Sequence, residues 1–364
     1  MDNEIINPRE EFLMAWDETK DLFGFINGNG EWAIEAKFMD GRDFSGSGLA
    51  AALDVQSELW GYIDESGEWV ITPQFAWVDP DGFSANGLAP VREAESDLCG
   101  YINEKMEWVI APKFAWACGF SENGLASALA AEGHLRGYIN PEGEWVIAPK
   151  FFSASPFSEN GIAQVCYIED YGKDSMDTNN MIDLLAHSQL AAYGYINVKG
   201  EWIIEPHFGL ACDFAPNGLA LARTTQNRLW GYIDEKGLWV MKPQFRHAGD
   251  FDSGGIAPAW RDDAAAGGYI NEKGDWVIAP QFNGMGDFAQ NGLASVKDMQ
   301  TNLCGYINNK GVWLIEPQFF EAGTFSANGL APAKEKKNSR WGFINEKGEW
   351  LPTNAQPINA LLEK

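Results

Sequence analysis

The chain has 364 residues, and its 26 Lys and Arg against 52 Asp and Glu give a formal net charge of −26. So large an acidic excess disfavours sequence-independent binding to nucleic acid, which depends on neutralising phosphates with basic side chains. It also disfavours binding to an anionic membrane surface. Because 45% of the residues are hydrophobic and 13% are aromatic, the composition is not that of a disordered acidic tail. We therefore expect a folded, soluble protein whose partner, if it has one, is basic.

Residues 1–11 precede the repeated pattern, and we expect them to form an N-terminal cap. They are acidic at Met1–Glu4 and lead into no apolar run, so we expect no secretory signal. No segment approaches the roughly 18 apolar residues of a membrane span. The five cysteines are odd in number and show no Cys-x-x-Cys spacing, which favours a reduced protein in the cytoplasm.

From residue 12 onward the chain repeats one unit. The motif Gly-(Tyr/Phe)-Ile-(Asn/Asp) occurs nine times, mostly with a 37-residue period, and its hairpins begin at Gly24, Gly61, Gly100, Gly137, Gly194, Gly231, Gly268, Gly305 and Gly342. A Trp follows eight residues after each glycine, and most copies continue with Pro-x-Phe, a second Phe and Asn-Gly-Leu-Ala. This fixed order predicts one array of nine units over residues 12–351, not two or three independent domains.

Each unit is predicted to be a three-stranded β-meander, as the copy that begins at Gly231 illustrates. The segment 231–240 is typical of a hairpin whose turn ends in a left-handed glycine, and its period of two places Gly231 and Trp239 on one face. We expect the strand to stop at Pro243, which cannot donate a hydrogen bond to a ladder. The Leu-Ala-x-Val segment forms the third strand. In the third unit Met106 replaces the turn glycine, at an expected cost of about 1 kcal/mol.

The fold class expected from these units is all-β, an open superhelical array similar to a solenoid. Units of this size bury their faces only against their neighbours. Phe12–Trp16 stand where a Leu-Ala-x-Val strand belongs, so we expect no leftover strand to close a ring. The alternative is a closed propeller-like ring, although nine three-stranded blades would exceed the usual four to eight blades of four strands.

The repeated motif resembles the bacterial WG (or KWG) repeat family. The resemblance rests on Trp-Gly pairs at Gly61, Gly231 and Gly342, each within Gly-Tyr-Ile-x-x-x-Gly-x-Trp-Val-Ile-x-Pro-x-Phe or a variant of it. It covers residues 12–351 and implies a β-rich array in a bacterial protein. Departures are Ala36 for proline, Met106 for glycine, and six copies without Trp before the glycine. The family has no known catalytic residues, so the resemblance implies no catalysis.

The fourth unit carries an insertion of 20 residues within the loop 164–193. Its first part is polar and acidic, and residues 179–192 are predicted to form a short helix with a narrow apolar side. It lacks the glycine and terminal Glu of a calcium loop, so we expect no metal there. The insertion is either a tolerated surface loop or a docking element. Its candidate contact residues are Asp170, Asp174, Asp177, Met181, Leu184 and Leu185. A C-terminal tail, residues 352–364, is expected to hold another short helix.

Three tryptophans outside the repeated core are candidate binding anchors. Trp77 and Trp116 occupy the same slot in adjacent units, and other copies place Asp, Ser or Glu there. We therefore expect exposed neighbouring indoles, which are favoured at interfaces, or two indoles packed on each other. Trp260 is a weaker candidate.

Charge is distributed unevenly along the array. Residues 1–100 hold 21 acidic and 5 basic residues, whereas residues 301–364 hold 6 acidic and 7 basic ones. The early loops predict an acidic patch that faces a basic partner, or simply a solvated surface. The residues expected to form the patch are Asp54, Glu58, Glu93, Glu95 and Asp97.

No catalytic, cofactor-binding or metal-binding residues are expected. The four histidines lie in four different units without ligand spacing, and no nucleotide-binding or nucleophile motif occurs. We expect a non-enzymatic repeat scaffold that binds another protein, in its sharpest form a cytoplasmic immunity protein that occludes a basic toxin. The alternatives are a glycan-binding protein that uses surface tryptophans, and a structural spacer. A monomer or an oligomer of unknown size fits the sequence equally.

Overall fold

The computed structural model describes residues 12–45, 48–168, 191–226, 228–262 and 264–357. Within these ranges the chain is all-β and contains no helix. The short helix expected in the insertion falls on residues that lie largely outside the described ranges, and residues 191–192, its predicted end, begin a strand. The tail helix is likewise not found in the described part of the tail, where Ala355–Gln356 form a strand.

The strands in chain order are β1 (Leu13–Asp17), β2 (Leu22–Ile26), β3 (Trp32–Phe38), β4 (Asp40–Gly41), β5 (Ala50–Leu53), β6 (Trp60–Ile63), β7 (Trp69–Val78), β8 (Leu88–Glu93), β9 (Cys99–Asn103), β10 (Trp108–Ala117), β11 (Ala126–Ala130), β12 (Arg136–Ile139), β13 (Trp145–Phe151), β14 (Ser153–Ala154), β15 (Ile162–Ile168), β16 (Ala191–Asn197), β17 (Trp202–Ala211), β18 (Leu219–Thr224), β19 (Trp230–Asp234), β20 (Trp239–Ala248), β21 (Ile256–Arg261), β22 (Gly267–Asn271), β23 (Trp276–Met285), β24 (Ala294–Asp298), β25 (Cys304–Ile307), β26 (Trp313–Phe319), β27 (Glu321–Ala322), β28 (Ala331–Lys334), β29 (Trp341–Ile344) and β30 (Ala355–Gln356).

We number the units 1 to 9 by their hairpin glycines, Gly24 to Gly342. In unit 2 the strands β6, β7 and β8 pair antiparallel in sequence order, and β8 then pairs with β9 of unit 3. The described strands form four open sheets. Two are large, with β4 to β13 and β14 to β26 lying side by side in chain order; the two small ones have the orders β3-β2-β1-β30 and β27-β28-β29. No sheet closes into a barrel. The breaks fall inside long strands at Met39, Phe152 and Phe320, whose amides still donate to the neighbouring strand at 2.8–2.9 Å.

In units 2 to 8 the long strand passes through its proline. The predicted stop at Pro243 is wrong, because β20 continues to Ala248. Pairing of β20 with β19 is regular at Met241 and resumes at Phe245, with an irregularity between them. The proline lies in that bulge, where no ladder hydrogen bond is needed from its nitrogen.

The hairpin glycines lie directly beneath the long strand. A Cβ added at Gly231 would come within 2.4 Å of the Met241 carbonyl oxygen and 2.8 Å of Trp239 Cζ3. The prediction that Gly231 and Trp239 lie on one face is therefore confirmed, and the Trp239 indole covers the glycine. The next residue, Tyr232, is fully buried and donates its hydroxyl hydrogen to the Gly249 carbonyl at 2.7 Å, a bond that recurs in units 3 to 8.

Neighbouring units are joined by two repeated contacts. The Trp of one unit meets the Pro-x-Phe ring of the preceding unit edge-on, as Phe208 meets Trp239 at 5.7 Å between ring centroids. The turn glycine also packs on the apolar residue two positions after the preceding Trp, as Gly237 packs on Ile204. In unit 3 the corresponding Met106 has φ 74°, as predicted, and its side chain packs against the cluster that contains Ile71.

Units two apart are joined by side chains as well. The Asn of an Asn-Gly turn donates to a Glu in the hairpin turn two units further on, and the pairs are Asn160–Glu235, Asn217–Glu272 and Asn291–Glu346, at 2.6–3.0 Å. At the chain ends, a Cβ on Gly28 of unit 1 would lie 3.3 Å from the carbonyl oxygen of Asn328 in unit 8. Units 8 and 1 therefore lie against each other as units two apart do elsewhere, but the hydrogen bond is not formed there, because Gly28 has no side chain and Asn328 Nδ2 has no partner among the described residues.

The two ends of the array meet. Strand β30 pairs with β1, with Ala355 opposite Asp17 and Gln356 opposite Trp16. Ala355 is fully buried in a cluster that includes Ile26 of unit 1 and Phe343 of unit 9. The expectation that no strand remains to join the ends is therefore wrong, and the array does not have the two free ends of an open superhelix.

Candidate partner-binding surfaces

The predicted acidic patch is made largely of turn residues. Asp54 follows a third strand and accepts hydrogen bonds from the Ser57 amide at 2.9 Å and the Ser57 hydroxyl at 2.8 Å. The backbone hydrogen bond from Ser57 is the main cause that lowers the pKa of Asp54. Glu93 holds the next such loop, since its carboxylate accepts from the Ser96 hydroxyl at 2.6 Å. Asp17 and Asp298 cap equivalent loops. These carboxylates therefore stabilise loops.

The other predicted acidic residues are exposed. Glu58 and Asp97 both have φ 55° in their turns, and Asp97 lies 3.6 Å from Arg92. Glu95 lies in the same loop. Their role in binding a partner stays a prediction. Asp170, Asp174, Asp177, Met181, Leu184 and Leu185 lie outside the described residues.

The candidate tryptophans are half-buried. The guanidinium of Arg136 covers the Trp116 ring at 4.3 Å from the centroid, and Trp77 pairs with Arg92 across β7 and β8. Trp260 lies over Gly267, where an added Cβ would come within 2.4 Å of the indole. The Trp116 and Trp260 indoles thus have packing partners within the array, and Trp77 has Arg92 as its cross-strand neighbour.

A second set of carboxylates lies in the loops between the long strand and the third strand. We call these the Phe loops, because each carries the second Phe of its unit; examples are 79–87, 212–218, 249–255 and 286–293. The residue directly before that Phe is aspartate at four positions: Asp43, Asp213, Asp250 and Asp287. Each is open to solvent, yet loss of hydration raises the pKa of each. Water reaches these carboxylates, but the protein around them removes part of their hydration.

The Phe loops of units 5, 6 and 7 bring their carboxylates together. Repulsion from Asp287 adds to lost hydration in raising the pKa of Asp250, and repulsion from Asp250 does the same at Asp213. A groove of about 470 Å³ is lined by Asp250, Asp252 and Asp287 together with Phe251 and Phe288. Among the described residues, no Lys or Arg forms a salt bridge with these carboxylates.

Unit 2 departs from this pattern because it is 39 residues long. Its Phe loop holds the buried Asp79, which accepts a hydrogen bond from the Asp81 amide at 2.9 Å. Lost hydration, with repulsion from Asp81, raises the pKa of Asp79. The extra residues also redirect the loop, so that the buried Tyr62 hydroxyl has no hydrogen-bond partner among the described residues.

The Phe-loop aspartates were not among the residues predicted from the sequence, because the repeated motif was defined by its second Phe and not by the residue before it. The recurrence of Asp at that position in several units was the available signal. The described part of the chain holds no cluster of His, Cys, Asp and Glu suited to a metal ion and no helix that could span a membrane. An acidic groove whose carboxylates have no salt bridge among the described residues is suited to attract a cationic ligand.

The chain belongs to the WG-containing repeat family. The family matches residues 23–53, 60–95, 100–129, 137–167, 193–226, 230–259, 268–298 and 305–338, more than half of the chain. The resemblance seen in the sequence is thereby confirmed, while the ninth hairpin lies outside the matched ranges. Among curated proteins, no sequence matches the chain.

Several solved structures show weak similarity. Dihydro-heme d1 dehydrogenase NirN is 9% identical over 97% of this chain and 74% of its own, with a TM-score of 0.43. Apo AztD from Citrobacter koseri is 10% identical over 96% and 94%, with a TM-score of 0.37. Virginiamycin B lyase from Staphylococcus aureus is 14% identical over 66% and 82%, with a TM-score of 0.33. Similarity at this level carries no argument about this chain's activity or ligands.

Proposed function

We propose that this protein is a non-enzymatic scaffold that binds a basic segment of another protein along its Phe loops. The observation that carries the proposal is the groove formed by Asp250, Asp252 and Asp287. Its carboxylates repel one another and have no salt bridge to Lys or Arg among the described residues. A basic side chain would remove this repulsion, and the formal charge of −26 would speed its approach.

A finer form of the proposal makes the partner a basic toxin and this protein its cytoplasmic antagonist. The acidic groove supports a basic partner of any kind. The toxin form is tested by whether the captured partner loses its toxicity when the purified chain is added in equal amount. The glycan alternative depends on exposed indoles, and the half-burial of Trp77, Trp116 and Trp260 does not favour it.

The experiment is a titration of the full chain with a fluorescein-labelled oligolysine peptide, read by anisotropy. We expect saturable binding that about 0.5 M salt abolishes, because exposed charges are then screened. Replacing Asp250→Asn and Asp287→Asn together should weaken binding by about tenfold. The control pair Glu58→Gln and Asp97→Asn makes the same charge change in the connecting loops, and it should have little effect.

Absence of oligolysine binding would overturn the proposal. Equal weakening by both pairs would also contradict it, because net charge and not the groove would then control binding. If the control pair alone weakened binding, the predicted acidic patch would be the binding surface instead.

A further inference from the structure

The ninth unit has an open strand edge where the other units have a covered one. In units 1 to 8 a Cβ on the hairpin glycine would collide with a carbonyl oxygen of the long strand at 2.3–2.6 Å, as at Gly231 and Gly305. At Gly342 the only atoms of the described residues within 4 Å of such a Cβ belong to the Trp350 ring, the nearest at 3.0 Å. Within the part of the chain that the structure describes, no backbone therefore crosses over Gly342 as it does over the other hairpin glycines.

The hydrogen-bonded pairing of the strands shows the same open edge. In unit 6, Trp230 before the glycine pairs with Phe245 of the long strand. In unit 9 the pairing beside β29 ends with a bridge from Ile344 to Trp350 and a bond from the Leu351 amide to the Phe343 carbonyl at 2.9 Å. Trp341 pairs with Lys334 of β28 and, among the described residues, has no strand partner on the other side.

The cause lies in the sequence after Trp350. Ala355 takes the place of the Pro-x-Phe phenylalanine, since it pairs with Asp17 of β1 as Phe75 pairs with Glu93 of β8. The tail reaches this position one residue earlier than the other units do and brings a methyl group instead of a benzyl group. Both differences leave space beside β29.

This space is a groove of about 370 Å³ lined by Glu335, Ser339, Arg340, Trp341, Gly342 and Trp350. Trp350 is 43% exposed. The loop that borders the groove carries exposed Lys336, Lys337 and Arg340. Arg340 forms a salt bridge with Glu18, and Lys336 forms one with Glu335. The loop still has more basic than acidic residues, and this gives a cationic rim in a chain of net charge −26.

We propose that the open edge of β29 binds an extended segment of another protein, one with an aromatic side chain flanked by acidic residues. The other eight units show what fits this place, because each fills it with its own extended segment that ends in Phe. An added strand gains main-chain hydrogen bonds from an exposed edge, and side-chain pockets give it specificity. The cationic rim selects acidic flanks. This site is distinct from the acidic groove of the Phe loops.

The test uses a fluorescein-labelled peptide with the sequence Val-Ile-Thr-Pro-Gln-Phe of residues 70–75 between glutamates, titrated with the full chain. We expect saturable binding, and loss of binding when the peptide Phe is replaced by Ala. Trp341→Cys should weaken binding by about tenfold or more. Cysteine already occupies this slot at Cys99 and Cys304, so the variant should fold. The matched control Trp230→Cys, made beneath an intact long strand, should leave binding unchanged.

A second variant replaces residues 351–355 with Val-Ile-Thr-Pro-Gln-Phe and so rebuilds the missing long strand. It should abolish peptide binding and raise the melting temperature. Leu361→Asp with Leu362→Asp tests the chain's own C-terminus as the occupant, and a gain in peptide affinity from this pair would overturn the proposal. Absence of binding to the unmodified chain, or equal binding by the rebuilt variant, would also overturn it.

Discussion

Unit 6 and unit 9 begin with the same hairpin and end it differently. In unit 6 the long strand β20 crosses Gly231 and continues to Ala248, so both of its edges are paired within the array. In unit 9 the strand after Trp350 leaves the hairpin early and pairs with β1 instead. The comparison teaches that the repeated unit supplies stability through backbone close approach, whereas the ladder that joins the chain ends consists of one two-residue strand, supported by side-chain contacts such as that of Trp32 with Asn354.

The largest expected effect comes from the hairpin glycines. Gly231→Ala should lower the free energy of unfolding by about 3 kcal/mol or more, because its Cβ meets backbone atoms that cannot move aside. Gly342→Ala should cost about 1 kcal/mol or less, since among the described residues only the Trp350 ring is near. Urea denaturation of the two variants measures the difference, and equal costs would show that unit 9 is covered like the others.

A smaller effect is expected at the joint between the ends. Ala355→Asp places a carboxylate at a fully buried position and should cost about 3 kcal/mol locally by releasing β30 from β1. Small-angle scattering should then report a larger radius of gyration. Gln356→Asp is the control, because that neighbour is only half-buried. An unchanged scattering profile with Ala355→Asp would mean that other contacts hold the ends together.

Two substitutions at Met106 distinguish the backbone strain of its positive φ from the packing of its side chain. Met106→Ala keeps the positive φ of 74° and loses the contacts of the side chain, whereas Met106→Gly loses the contacts and removes the strain. Met106→Gly should therefore be more stable than Met106→Ala by about 1 kcal/mol. The melting temperatures of both variants provide the measurement, and no difference between them would show that the turn tolerates L-residues without cost.

The smallest effects are expected at two carboxylates, Asp250 and Asp54, whose pKa values are shifted in opposite directions. The pKa of Asp250 is raised, so relative to the unfolded chain its contribution to stability is present below pH about 4 and is lost as pH rises through the folded pKa. Asp250→Asn should therefore stabilise the protein at neutral pH by less than about 1 kcal/mol, since the group is exposed. This gain should disappear in acid.

Asp54 supplies the contrast to Asp250. Its pKa is lowered, so its contribution to stability is present above pH about 4 and is lost as pH falls through the folded pKa. Asp54→Asn should weaken the protein at neutral pH and not in acid. Thermal unfolding at several pH values would contradict this account if the two variants moved in the same direction.

The sequence predicted what is local and repeated. The period of two and the turn glycine were enough to place Gly231 under Trp239, because both residues lie within one hairpin. The pairing of Ala355 with Asp17 was missed, because the tail lacks the Pro-x-Phe signal and because no local pattern links the two chain ends. The passage of β20 through Pro243 was missed because a bulge removes the need for the hydrogen bond that proline cannot donate.

The candidate site was harder to predict than the fold. Asp54 and Glu93 were chosen for their charge, but their carboxylates hold turns. Asp250 and Asp287 lie 37 residues apart, and only the packing of successive Phe loops brings them into one groove. The sequence shows such a groove only when equivalent positions in different units are compared with one another.

The side-chain bonds that skip one unit have a consequence for how such a chain can evolve. Tandem repeats are usually gained and lost one at a time, because each copy needs only its neighbours. Here Asn160 reaches Glu235 across an intervening unit, and β1 must still meet β30 after the last copy. A duplication or deletion would therefore have to change the angle between all neighbouring units at once. The number of copies is accordingly constrained as a property of the whole molecule.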